Sequence, residues 1–300
     1  MTPFAALMLA LLAPLAPAVA ESPTAGRLSG SPFEHRVEPG ESLWSVGARH
    51  GVGVAALARD NGLSPEAWLQ VGQGLLVDPR HVVPASLERG VVLNVPQRML
   101  FFFDGNDLLE AFPVAVGRPS WPTPLGDFHV IDRQVDKTWH VPLSIQREMC
   151  REGRPVLTEV PPGPENPLGR HWLGLSRRGY GIHGTIAPTS IHHFITHGCI
   201  RMHPDDVAVL FAALQVGDAV RIVYDPVLLA SLPDGRVFLE AHPDAYRRAG
   251  DPLERARELA ERSGCSARID WERAQQVLQA REGIAREVSR EPGVGDGVED

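Results

Sequence analysis

The sequence predicts a mostly β protein with some α-helix, built as a small β-α-α-β unit, a β-rich central domain and a helical C-terminal flank. Three observations carry this expectation. Short runs of Val, Leu, Ile and Phe, punctuated by Gly, Asn and Asp, recur between residues 90 and 225. Two helix-period patterns lie between short β-forming segments within residues 35–79. Two more helix-period patterns follow Pro226. A chain of 300 residues has room for two domains and an appendage.

The elements follow in chain order. Phe4 to Val19 is an uncharged run of mainly Ala, Leu, Pro and Met that ends in Ala18-Val19-Ala20. Small residues at 18 and 20 form an A-x-A cleavage site, so residues 1–20 are expected to be a signal peptide and the mature chain to begin near Glu21. An uncleaved anchor is disfavoured by the prolines and by the shortness of the apolar run. Residues 21–34, rich in Ser, Pro and Gly, are expected to be a linker. In residues 35–79, Arg36-Val37 starts a strand and Pro39-Gly40 turns it. Leu43, Val46 and Gly47 then give helical spacing from Ser42 to His50, with Gly51 as the stop. Val54, Leu57 and Ala58 begin a second helix that Asn61-Gly62 ends, and Gly74-Leu75-Leu76-Val77 supplies the closing strand.

Over residues 90–225 the expected strands include Val91–Pro96, Leu100–Phe103 and, after an Asp104-Gly105-Asn106 turn, Leu108–Val116. Gly126–Asp132, Trp172–Leu175 and Ala219–Tyr224 follow. Asp136–Pro167 is polar, Pro-rich and too long for a simple connector, which marks it as functional or mobile. Pro204-Asp205-Asp206 opens a helix with Val207, Leu210, Phe211 and Leu214 on one face. In residues 226–290, a short strand at Val237–Glu240 precedes two helices, the second marked by Trp271, Ala274, Val277, Leu278 and Ile284. Residues 291–300 are expected to be a disordered tail.

A net charge of −8 argues against nucleic acid as a partner, and no polybasic tract suits anionic lipid. Three cysteines in an exported chain leave at least one thiol free or shared between chains; a Cys150–Cys265 pair stays open.

The densest chemistry lies in Gly181-Ile182-His183-Gly184-Thr185 and Thr196-His197-Gly198-Cys199-Ile200-Arg201-Met202-His203. A thiol needs a base or cation beside it to become a nucleophile near neutral pH, and histidine is the usual partner. Cys199 is the candidate nucleophile and His183 the candidate base. Gly198 permits close approach of a substrate, and N–H groups around a nucleophile can form an oxyanion hole. Arg201 would face an anionic group of the substrate. His192, His193 and His203 are expected to be surface or loop histidines. The His193…His197 spacing suggests a zinc helix, but Phe194 stands where that motif requires Glu, so no metal site is expected.

Residues 35–79 resemble the LysM module, a binder of N-acetylglucosamine-containing glycans, through Val37, Pro39–Val46, Gly51-Val52, Leu57, Asn61 and Gly72–Leu75. The reactive segments, with Thr123–Phe128 and Pro161–Gly169, resemble the L,D-transpeptidase (YkuD-type) catalytic domain, as in the periplasmic LysM-bearing branch of Gram-negative bacteria. The resemblance implies a Cys199 acyl-enzyme, with His183 oriented by the Gly184 carbonyl. It places Gly198 and His197 at the oxyanion and substrate rim, and Arg201 and Thr196 in substrate binding. It implies no cofactor. The partners it implies are peptidoglycan stem peptides and glycan strands, in the periplasm, with no membrane span after cleavage. The acyl acceptor would be a lysine of an outer-membrane lipoprotein or a second diamino acid. The alternatives are an amidase on the same bonds and an inactive LysM wall-binding protein.

Overall fold

The computed structural model describes residues 26–290; the expected signal peptide and the tail at 291–300 lie outside them. Helix Leu43–His50 starts at Ser42, whose hydroxyl accepts from the Ser45 N–H while the Ser45 side chain returns to the Ser42 N–H. It ends at Gly51 in the left-handed region, φ 71°. With helix Val54–Asp60 it packs Leu43, Val46 and Leu57 over an antiparallel pair, Phe33–Arg36 with Gly74–Val77. Asn61 ties the parts together: its amide donates to the carbonyls of Leu57 and Leu76 and accepts from the Leu76 N–H.

The central domain is a sheet that closes on itself. Its first hairpin joins Arg89–Asn94 to Met99–Asp104 and continues into the eleven-residue strand Asp107–Gly117. That long strand serves three partners. Its first part pairs with Met99–Asp104, and beyond Pro113 it pairs with Ile200–Met202 and Phe194–Thr196. Ile200–Met202 lies parallel to Gly181–His183, then come His171–Leu175, Gly126–Val135 and Ala219–Val223, which returns to Arg89–Asn94. Inside sit Leu93, Val114, Leu173, Ile182, Ile200 and Met202, sealed by Val207 and Leu210 of helix Pro204–Ala213.

Three expectations change. The segment expected to be a linker holds ordered strand: Leu28–Ser29 pairs with His81–Val82, and Phe33 and Glu34 already belong to the first LysM strand. The C-terminal flank has helices Pro252–Arg262 and Trp271–Ala280, but they cover a three-stranded sheet of Val227–Ser231, Val237–Ala241 and Arg286–Glu287. Ile284, expected on the last helix, lies beyond its end and completes the core of the N-terminal module beside Leu43 and Val46. The three cysteines are unpaired, Cys150 exposed and Cys265 buried in the C-terminal core.

Candidate active site

Parallel pairing sets Ile182 opposite Ile200 and His183 opposite Arg201. Side chains alternate across a sheet, and both isoleucines point into the core. His183 and Arg201 therefore share the other face, and one step back along the register Cys199 comes beside Gly181. The thiol there donates a weak hydrogen bond to the Gly179 carbonyl at 3.7 Å. The fifteen residues between His183 and Cys199 thus cover one excursion between neighbouring strands.

His183 is buried, and its Nδ1–H donates to the Gly184 carbonyl at 2.7 Å. That bond assigns the tautomer and leaves Nε2 free to accept a proton. The Trp172 ring stacks on the imidazole at 6.0 Å and covers Gly181, where a Cβ would come within 2.5 Å of that ring. Burial, helped by the Arg201 guanidinium, pulls His183 down to about 4, against the carbonyls of Gly184 and Leu168. Burial pushes the Cys199 thiol up to about 11, against the pull of the Gly181 backbone and Arg201. The two shifts describe a resting pair of neutral thiol and neutral imidazole.

The remaining candidate residues have definite places. Gly198 adopts φ +103°, and a Cβ there would lie 2.7 Å from the Tyr180 ring. Its N–H donates to the Thr196 hydroxyl at 3.1 Å, which itself donates to the Cys199 carbonyl at 2.6 Å. Thr196 is buried and braces the turn, so its hydroxyl is engaged inside the protein rather than presented to a substrate. Gly198 could supply an oxyanion-hole N–H only by releasing Thr196. Arg201 is partly buried and donates to the Ser190 hydroxyl at 2.9 Å. His197 faces Glu148 and Arg118.

Sequence reasoning missed Arg118, Glu148 and Trp172. Each lies far from the cysteine in the chain: Arg118 follows the strand Asp107–Gly117, Glu148 comes on the helix Leu143–Arg151, and Trp172 lies on the strand paired with Gly181–His183. His192 corrects the expectation of a surface histidine: it is buried, and the Arg98 guanidinium donates to it at 3.0 Å. His203 caps helix Pro204–Ala213 through Nδ1. Among the described residues no group of His, Cys, Asp and Glu is arranged to hold a metal ion.

A closed β-domain with a cysteine and a carbonyl-oriented histidine on adjacent strands, preceded by a βααβ module, defines the class. The L,D-transpeptidase catalytic domain matches residues 88–222 and the LysM domain residues 35–78. The probable L,D-transpeptidase ErfK/SrfK of Salmonella typhimurium is 31% identical over 229 residues, 75% of this chain and 74% of that one. Its counterpart in Escherichia coli K12 is 29% identical over 280 residues, 89% of each chain. The putative L,D-transpeptidase YkuD of Bacillus subtilis is 30% identical over 188 residues, 63% of this chain and 97% of that one. The chain belongs to the L,D-transpeptidase family. It is an L,D-transpeptidase that carries an N-terminal LysM domain, and its domains fit binding to peptidoglycan.

Proposed function

We propose that Cys199 is the acylated nucleophile and His183 the base in transfer of a peptidoglycan tetrapeptide. The observation that carries this is the His183 Nδ1–H bond to the Gly184 carbonyl, which presents Nε2 on the sheet face that Cys199 shares. As Sγ attacks the carbonyl of the stem's third residue, its proton passes to His183 Nε2. The C–N bond to the terminal D-alanine breaks, and that amine leaves with the proton. An acceptor amine then attacks the thioester, gives up its proton through His183 and releases the thiol.

Of the amine acceptors, we take the lysine of an outer-membrane lipoprotein, on the LysM-plus-catalytic arrangement, with action in the periplasm after export. No helix among the described residues is long and apolar enough to cross a membrane, which is compatible with that placement. Incubation with disaccharide-tetrapeptide should release D-alanine and leave the acyl mass on Cys199 alone, with nothing on Cys199→Ala. Acyl mass on Cys150, or turnover by the alanine variant, would remove the assignment. Sacculi of a strain lacking the protein should lose lipoprotein-linked muropeptides; loss of 3→3 dimers alone would point to the diamino acid.

A further inference from the structure

The segment 136–167 is the longest excursion from the central sheet, and its helix Leu143–Arg151 aims Glu148 at the strand end before Cys199. One Glu148 oxygen accepts from Arg118 Nη2 and the other from His197 Nε2. Both donors are anchored to the reactive segment: His197 by position, and Arg118 because its backbone N–H donates to the Thr196 carbonyl at 3.0 Å. Trp121 walls the cluster, edge-on to His197 at 4.8 Å and under the Arg118 guanidinium at 5.8 Å.

The arrangement is a receptor for a carboxylate. Arg118, then His197, hold the Glu148 carboxyl at about 2, so the group in it is an anion. The receptor is also reachable from solvent: the side chains of Arg118 and His197 keep 33% and 28% of their exposure. A carboxylate from outside can compete there with the resident one, two residues from the candidate nucleophile. The mechanism above leaves these donors without a task.

We propose that Arg118 and His197 form the subsite for a carboxylate of the stem peptide, and that Glu148 fills it in the substrate-free enzyme as an internal stand-in. The ligand rests on the reading of Cys199 and His183 given above. A stem tetrapeptide offers a carboxylate at its terminal D-alanine and others along the stem, so the test uses two analogues, one amidated at the terminus and one amidated internally.

The wild-type enzyme should lose about tenfold in kcat/KM on one of the two analogues, which identifies the carboxylate. Arg118→Met should raise KM by about tenfold for the full substrate and change it less than about twofold for that analogue. Glu148→Gln keeps the helix contact but weakens the competitor, so it should lower KM with kcat changed by less than about twofold. Indifference of the wild type to both amidations would overturn the proposal. So would Arg118→Met penalising all substrates alike, or a KM raised by Glu148→Gln, since either result makes the cluster a structural tie. Absence of wild-type turnover on every stem peptide would instead remove the tetrapeptide reading, and the ligand with it.

Discussion

The Arg49 guanidinium donates to both carboxylate oxygens of Asp206, at 2.7 and 2.8 Å, across 157 residues of chain. Arg49 lies in the last turn of the first LysM helix, and Asp206 lies in the first turn of the helix that seals the catalytic core. The contact is one of several. Ala48 packs with Ala115 and Ile191, and Trp44 meets His193 at 5.6 Å. From the other side, Arg286 of the C-terminal sheet binds Asp60 and Asp78 at 2.8 and 3.1 Å, and Ile284 enters the LysM core. The module is therefore seated on the catalytic domain and braced by the C-terminal unit, rather than tethered by a linker.

Deleting residues 35–79 should then lower activity on soluble stem peptides as well as binding to sacculi. It would strip cover from Ile191 and leave Asp206 without its partner. Arg49→Ala alone should cost about 1 kcal/mol, since Arg49 is partly exposed and solvent screens the pair. Urea denaturation followed through module and catalytic tryptophans should show one shared transition. Two separated transitions, with full activity retained by the deletion variant, would contradict the seating.

The neutral resting pair predicts a pH profile. Cys199 should alkylate with a rate that still rises at pH 9, because its thiol sits near 11. An imidazolium–thiolate pair would plateau near neutrality instead. Catalysis should be lost as pH falls through about 4, where His183 takes up a proton and ceases to be a base. Stability carries the same sign. The folded His183 and His50 sit at about 4 against 6.5 when free, so between those values the unfolded chain binds more protons. Stability should be full above about pH 6.5 and fall steadily toward 4; a melting temperature that stays level or rises as pH is lowered from 6.5 to 4 would refute the burial of these imidazoles.

The βααβ module was legible because local signals suffice for it: the Ser42 cap, the Gly51 stop and the Leu43, Val46, Leu57 stripe all act within a few residues. His183 and Cys199 were legible from their neighbours in sequence. What sequence could not supply was the partner across the fold. Glu148 reads as one more charge in the polar, Pro-rich stretch 136–167, and only its arrival at His197 gives it a role. Ile284 reads as helical by period, yet the helix stops at Arg281, whose backbone is left-handed at φ 48°, and the Ile284 side chain packs elsewhere. His192 differs for the same reason, since the Arg98 guanidinium that binds it comes from the turn between Arg89–Asn94 and Met99–Asp104, far away in sequence.

Glu240 should prove the most sensitive buried polar residue in the C-terminal unit. It is fully buried, and its carboxylate accepts from His81, His242, Gln97 and the Val82 N–H. Burial would raise its pKa, but the imidazoles of His81 and His242 overcome that and hold it at about 2. His81 also reaches the Gly51 carbonyl, so this one group links the LysM, catalytic and C-terminal parts. Glu240→Ala strands four donors and should cost about 3–5 kcal/mol. A variant with a denaturation midpoint unchanged from wild type would show that water replaces the carboxylate at no cost.

Gly198→Ala tests the backbone beside the candidate nucleophile. The position needs φ +103°, a conformation that costs an L-residue about 1–3 kcal/mol, and the new methyl would lie 2.7 Å from Tyr180 Cε1 and 3.3 Å from the Pro122 carbonyl. Relief by rotation would pull the Gly198 N–H from Thr196 and shift the Cys199 carbonyl that Thr196 holds. Turnover should fall by about 10²-fold, since a displacement of about 1 Å at a reacting centre has that effect. Adding Tyr180→Ala removes the ring contact but leaves the backbone constraint, so the double variant should recover only part of the loss. Full recovery would assign the requirement for glycine to the Tyr180 ring alone. Full activity in Gly198→Ala itself would show that the turn before Cys199 has no fixed geometry to protect.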